Sequence, residues 1–383
     1  MTTREFELLL ICATSQPNEG CIKDIVQEGV SWQTLLELAT QHGIRPILRQ
    51  TLRSVCWDTV PQTIQNELDH FYTTNVQTSL LFTAELLNLR SVFHQNGIPF
   101  AAFKGVVLGA LLYGDPALRE FSDLDILVHD EHVSKVEDIL TARHYLPDFL
   151  DKHYRSTFLR YQGQYAFRNK QTGTSVDLHW RLSSKGEAFP LNESEIWPRL
   201  RHMMIHSRPI PTLANDDLVL FLAAHGTKEG WRSLKWVCDF AEVLRKCQDI
   251  NWKRVVGRAE QSNCMRSLEL AMVLASTLLG TPAPTELIAK ASDNSAVHLL
   301  AEKAKLRMLR VVPEGEFRQF LDGLNTHDRL RHRLWPILTL VTTRTVGDYQ
   351  AMPLPKSLWG LYYVTRPFRL MVKAAEMIVR RIT

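Results

Sequence analysis

Nowhere in this 383-residue chain is there a CxxC pair, although it holds six cysteines (Cys12, Cys21, Cys56, Cys238, Cys247 and Cys264). Their scattered spacing fits neither a zinc site nor a disulfide framework, so a reduced, intracellular protein is expected. Also missing is any run of about twenty uncharged apolar residues, the length a membrane-spanning helix needs. The apolar stretch after Arg4 is too short to span and carries Glu5 and Glu7, which a signal peptide tolerates poorly. The expected location is the cytoplasm. Charge of one sign is lacking too: the formal net charge is only +4, which does not argue for a DNA-binding protein. There are no internal repeats and no low-complexity tracts. What remains is an ordinary globular composition, 45% hydrophobic and 22% charged, on a chain long enough for a sizeable core.

Apolar residues at steps of three and four predict helices over residues 4–95, with Gly43 closing one and Pro46 opening the next. A single long helix is expected from Pro61 to about Gln95, its apolar stripe running through Ile64, Leu68, Phe71, Tyr72, Val76, Leu80, Leu86 and Leu87. The texture changes at Asn96-Gly97. "IPFAAFKG" (98–105) reads as a strand turning into a helix at Gly105, "SDLDILV" as the next strand, and residues 131–145 as a helix. "YQGQYAFRN" and "TSVDLHWRL", joined by the turn-rich "KQTG", read as an antiparallel pair. From Asn215, read as a helix cap with two acids behind it, the pattern is helical again. The expectation is an α+β fold: N-terminal helices (1–96), a small mixed-sheet core (97–213), a C-terminal helical domain (214–350) and a basic segment (351–383).

The chemistry is carried by aspartates. Residues i and i+2 of a strand share a face, so Asp123 and Asp125 point one way while Leu124, Ile126 and Val128 point the other. Two carboxylates at adjacent positions of one face can converge on a hard divalent cation such as Mg²⁺. A later strand places Ser175, Asp177 and His179 on one face against buried Val176, Leu178 and Trp180. Should the strands be neighbours, three aspartates meet in one cleft, an arrangement for two-metal phosphoryl chemistry. Lys104-Gly105 sits where a strand becomes a helix, so backbone there can approach a phosphate, and Arg119 can neutralise phosphate charge. Each feature alone is commonplace: most D-x-D pairs are surface acids, and Lys-Gly is usually just a turn. Their order and the elements between them are what is specific.

That combination resembles the polymerase-β-like nucleotidyltransferase superfamily, and more closely the bacterial family of uncharacterised nucleotidyltransferases. The likeness rests on "KGVVLGALLYGDPALREFSDLDILV", "SVDLHW" and "AAHGTKEGWRSLKWVCDFAEVL", and covers roughly residues 30–250. It implies Asp123, Asp125 and Asp177 as catalytic and metal-holding residues, and Gly105 as the phosphate-loop glycine, with Lys104 and Arg119 beside it. It implies Mg²⁺ or Mn²⁺, a nucleoside triphosphate such as ATP as substrate, and transfer of the monophosphate with pyrophosphate release. The acceptor would be a hydroxyl or phosphate of a peptide natural product, a sugar or another small molecule. Alternatives are transfer to tRNA or protein, and a non-catalytic nucleotide-binding scaffold. One departure is visible: the superfamily usually has Gly-Ser or Gly-Gly at the loop, and here Val106 follows Gly105.

His225, Lys228, Arg232 and Asp239 share one helical face if that helix is continuous across Gly230. This stripe, with His179, is a candidate second ring of nucleotide or substrate contacts, or else a solvated face, with His179 an ordinary structural histidine. In the last thirty residues, Lys356, Arg366, Arg369, Lys373, Arg380 and Arg381 face a single acid, Glu376, and are interleaved with Trp359, Tyr362, Tyr363, Phe368, Leu370 and Met371. This segment reads as an interfacial helix on anionic lipid at the inner membrane, a docking surface for a protein or nucleic acid, or a helix packed on its own domain with basic residues outward.

Overall fold

The computed structural model describes residues 3–148, 162–183, 189–309, 323–327 and 345–379, with scattered positions between 155 and 159 and between 333 and 343. Arg380, Arg381 and the side chain of Lys373 lie outside the described residues.

Four short helices, α1 (Arg4–Cys12), α2 (Glu19–Gln27), α3 (Trp32–His42) and α4 (Arg45–Val55), precede α5 (Gln62–Gln95). Thr3, Asn18 and Ser31 cap the first three by accepting a backbone N–H of the first turn. Gly43, at φ 64°, ends α3, and Pro46 sits in the first turn of α4, as expected. Helix α5 has the expected length, and Ile64, Leu68 and Leu86 of the expected stripe are buried, but the buried face shifts in its middle. Asn75 and Ser79 are buried, whereas Leu80 is 58% exposed. The reason is a tertiary bond: Asn75 Nδ2 donates to the carbonyl of Ala117 at 2.7 Å and so holds the loop that leads to the aspartate strand.

The sheet follows: β1 (Phe100–Ala102), α6 (Gly105–Tyr113), β2 (Leu124–Val128), α7 (Val133–Ala142), β3 (Tyr145–Pro147), β4 (Gln164–Asn169) and β5 (Ser175–His179). Its strand order is β1-β2-β5-β4-β3. Strands β2 and β5 are parallel, and the other pairs antiparallel, including the expected β4–β5 pair. Two features were not legible in the sequence. The helix expected over 131–145 stops at Ala142; His144 turns the chain at φ 66°, and Tyr145 enters β3, its hydroxyl 2.6 Å from Thr174 Oγ1. After α8 (Glu193–Ile196), β6 (Arg201–Ile205) and β7 (Arg208–Thr212) form a separate hairpin. His206 and Ser207 make its turn with positive φ at both positions, a turn that sequence usually signals with Asn-Gly.

Then come α9 (Asn215–Lys228), α10 (Leu234–Lys246), α11 (Trp252–Gln261), α12 (Met265–Leu279), α13 (Thr285–Ser292) and α14 (Ser295–Met308), followed by α15 (Val346–Ala351) and α16 (Tyr362–Val379). Asn215 is not the cap of α9: Ala214 holds that position without a side-chain bond, and Asn215 reaches Asp249 instead. The two acids are there, but they are buried and paired, Asp216 with Arg254 and Asp217 with Arg199 and Arg258. Among the described residues, no helix is long and apolar enough to cross a membrane.

The two faces of the sheet serve different cores. Leu124, Ile126, Val128, Val176, Leu178 and Trp180 pack with α5 and α7 through Phe82, Leu86, Phe93, Val136 and Leu140. The opposite face contributes Ala101 and Leu127, paired across β1 and β2, to a larger core shared with α1–α4, α6 and α9–α14. The aspartates lie on this second face.

Candidate active site

In the parallel β2–β5 ladder, Asp125 stands directly opposite Asp177, and Leu124 opposite Val176. This register brings the carboxylates together because the apolar residues on either side of each are drawn to the same core. Asp123 precedes the first residue of β2, at the strand mouth.

Asp125 is buried and accepts two bonds on one oxygen: Lys104 Nζ is 2.6 Å from Oδ1, and His179 Nε2 is 3.1 Å from it. Burial pushes this carboxyl up, but the ammonium of Lys104 and the imidazole of His179 outweigh it and hold the group below the usual carboxylate range. Leaving a buried carboxylate uncompensated costs several kcal/mol, of order 3–5, so these partners are what keep Asp125 ionised in the sheet. Among the described residues, Asp123 and Asp177 make no such bond to a cationic side chain. Burial, and then the neighbouring carboxylates, push Asp123 up to about 6. Burial and Asp125 raise Asp177 as well; its Oδ2 accepts only a long bond of 3.4 Å from Gln164 Nε2.

Among the described residues, Asp125 Oδ2 and His179 Nδ1 are both buried without a hydrogen-bond partner. One donor atom from each of Asp125, Asp177 and His179 lies within 4.8 Å of the others. Orphaned donors on a carboxylate-rich cluster fit a divalent cation of the Mg²⁺ or Mn²⁺ kind, with His179 drawn in from the ring of candidate contacts.

Gly105 begins α6 at φ 50°, and a Cβ there would stand 2.9 Å from the backbone oxygen of Asp123. Glycine is required because two backbones meet: the helix start is wedged against the strand mouth, and no side chain caps it. Val106 is fully buried against the sheet, which gives the missing hydroxyl a structural reason: that position faces the core.

Arg119 is buried, and its Nε and Nη2 donate to both oxygens of Asp239 at 2.9–3.2 Å. Tyr113, partly buried, donates its hydroxyl to Asp239 Oδ1 at 3.0 Å. The tyrosine, arginine and aspartate thus form one network joining the approach to β2 to α10.

The polar stripe is not one helical face. Helix α9 ends at Lys228, Gly230 and Trp231 take positive φ, and α10 starts only at Leu234. His225 faces the aspartate side, stacked on Phe221 with ring centres 5.6 Å apart; burial and the charge of Lys104 keep its imidazole well below its ordinary pKa. Lys228 and Arg232 are exposed, and Arg232 pairs with Glu229 at 2.8 Å. A residue that periodicity did not single out, Lys235, lies beside the site. Its Nζ donates to the carbonyl of Glu120 at 3.3 Å, and burial lowers its pKa, with Arg119 adding to the effect. Its one sequence signal is a position four residues before Asp239.

A five-stranded mixed sheet carrying paired strand-borne aspartates beside a glycine-led helix defines a nucleotidyltransferase-type α+β protein. The chain belongs to the family described as uncharacterised nucleotidyltransferase, whose model matches residues 28–280. Among solved structures it is similar to the lincosamide antibiotic adenylyltransferase LnuA in its lincomycin-bound form, at 17% identity and a TM-score of 0.31, over 42% of this chain and 94% of that one. It is also similar to an antigenic nucleotidyltransferase-like protein from Paracoccidioides brasiliensis, at 14% identity and a TM-score of 0.29, over 54% of this chain and 96% of that one. No curated protein matches it.

Proposed function

We propose that the protein transfers a nucleoside monophosphate from a nucleoside triphosphate to an acceptor hydroxyl or phosphate of a peptide natural product, a sugar or another small molecule. The observation that carries this reading is the in-register pair Asp125–Asp177, with donor atoms of Asp125, Asp177 and His179 within 4.8 Å of one another. Asp123, Asp125 and Asp177 would hold Mg²⁺ or Mn²⁺, with His179 as a further donor. The cation, when bound, supplies charge stabilisation for the phosphates and the leaving pyrophosphate. The start of α6 at Gly105, with Lys104, receives phosphate oxygens. An acceptor oxygen forms the new bond to the α-phosphorus, the bond to the bridging oxygen breaks, and pyrophosphate departs. Asp177 takes the acceptor's proton, or as a ligand of a second cation would help to generate the nucleophile. Arg119, neutralised by Asp239, positions the approach to β2 rather than meeting the phosphates, and His225, Lys228, Arg232 and Lys235 are candidate substrate contacts.

Pyrophosphate release with Mg²⁺ and each nucleoside triphosphate, with and without cell extract as acceptor source, tests this. The Asp123→Asn, Asp125→Asn double variant should lose more than about 100-fold, the upper end for disturbing even an outer partner of a metal. Equal rates in both proteins would sink the enzyme reading. Nucleotide binding without turnover would favour the scaffold.

The C-terminal segment supports a second reading, peripheral docking on the anionic cytoplasmic face of the inner membrane. Leu361, Val364, Phe368 and Met371, at steps of three and four, are 47–61% exposed. Arg366 and Arg369 instead turn inward onto Asp348, the reverse of a helix packed with its basic residues outward. In the sequence, Lys356, Lys373, Arg380 and Arg381 add positive charge to this segment.

A further inference from the structure

Lys104 carries a charge of the same sign as the cation that the aspartates would hold, yet it is built into their midst. Its Nζ touches Asp125 Oδ1 at 2.6 Å, and its side chain is only 19% exposed. Its reach is fixed from below. It is the residue before Gly105, whose backbone is locked against that of Asp123. From above, the rings of Phe103 and Phe221 lie over the ammonium, 5.5 and 5.6 Å from Nζ to the ring centres. The ammonium therefore cannot leave Asp125 for solvent without uncovering a buried carboxylate.

We propose that Lys104 makes binding of the divalent cation conditional on the nucleotide. A cation arriving alone must share Asp125 with an ammonium and meet its repulsion where solvent screens little. A triphosphate changes this balance. Its oxygens offer the ammonium a second anionic partner and add negative charge beside the cluster. Cation and triphosphate then bind together better than separately, and by linkage each raises the affinity of the other equally. The inference rests on the nucleotidyltransferase reading above and assigns Lys104 a coupling role beyond phosphate contact.

The test is Mn²⁺ binding to the full chain, by calorimetry and by electron paramagnetic resonance, with and without α,β-methylene-ATP. A protein-free titration corrects for the Mn²⁺–analogue complex. The analogue should tighten Mn²⁺ binding to the wild-type chain by at least about tenfold, within the usual range of coupling between sites. Lys104→Met should bind Mn²⁺ alone at least about tenfold more tightly than wild type and lose most of the coupling, whereas Lys104→Arg should retain it. Thermal melts confirm that the variants fold. Equal Mn²⁺ affinity of the wild-type chain with and without the analogue overturns the proposal whatever the variants do. Intact coupling in Lys104→Met also overturns it, and both results leave the nucleotidyltransferase reading standing. Absence of Mn²⁺ binding in every case, analogue included, removes the metal centre and both proposals with it.

Discussion

Asp123 and Asp125 are two residues apart, yet their carboxyls shift in opposite directions. The difference is partners, since both are largely buried: Asp125 is bonded to an ammonium and an imidazole, while at Asp123 burial and the neighbouring carboxylates outweigh the more distant Lys104 and Arg119. Raising the pKa of Asp123 from 3.8 to about 6 means that the folded chain holds that proton longer than the unfolded chain does. Stability contributed by this group is therefore present at low pH and lost as pH rises across that window. In chelator, Asp123→Asn should raise the melting temperature above about pH 6, by an amount that grows from about pH 4 to about pH 6 and then stays flat. A constant difference from pH 4 to pH 8 would show that the carboxyl is not perturbed.

At the scale of elements, the junction of α9 and α10 depends on a glycine, and the tie between α10 and the approach to β2 on an ion pair. A Cβ on Gly226 would stand 2.5 Å from the ring of Trp231, which is buried and crosses the helix at that point. Gly226→Ala gains about 1 kcal/mol of helix propensity. Overpacking costs about 1–3 kcal/mol or more, and a clash with a rigid indole belongs at the upper end, so the variant should be less stable in denaturant titration. Asp239→Ala strands Arg119 in a buried site and frees the hydroxyl of Tyr113. Breaking such a pair from one side costs about 3–5 kcal/mol, and the expected readout is a matching loss of unfolding free energy. Asp239→Asn should recover part of that loss, because an amide still accepts from the guanidinium.

For the whole molecule, the larger core joins α1–α6 to α9–α14, so the aspartate face of the sheet shares its core with helices that precede and follow it in the chain. The exposed stripe on α16 takes no part in that core. Val364→Asp with Phe368→Asp should abolish co-sedimentation with vesicles containing anionic lipid and leave pyrophosphate release in solution unchanged. Wild-type protein that stays in the supernatant would remove the membrane reading.

The sequence by itself determined the strands that carry Asp125 and Asp177, with Asp123 at the mouth of the first, the helix that starts at Gly105, and the apolar residues on the strands' other face. Those follow from period-two and helical spacing, which are local properties of the chain. Only the tertiary structure decided that Asp125 faces Asp177 in register, that Lys104 and His179 share one of its oxygens, and that Arg119 belongs to Asp239 across 120 residues of chain. Asn75 and Leu80 show the same limit: a buried asparagine and an exposed leucine on α5 contradict the spacing because a distant carbonyl needed a donor. The physical reason is common to all of these. Periodicity records which side of an element avoids water, whereas the partner of a charge or a hydrogen bond depends on what another part of the chain brings to that side.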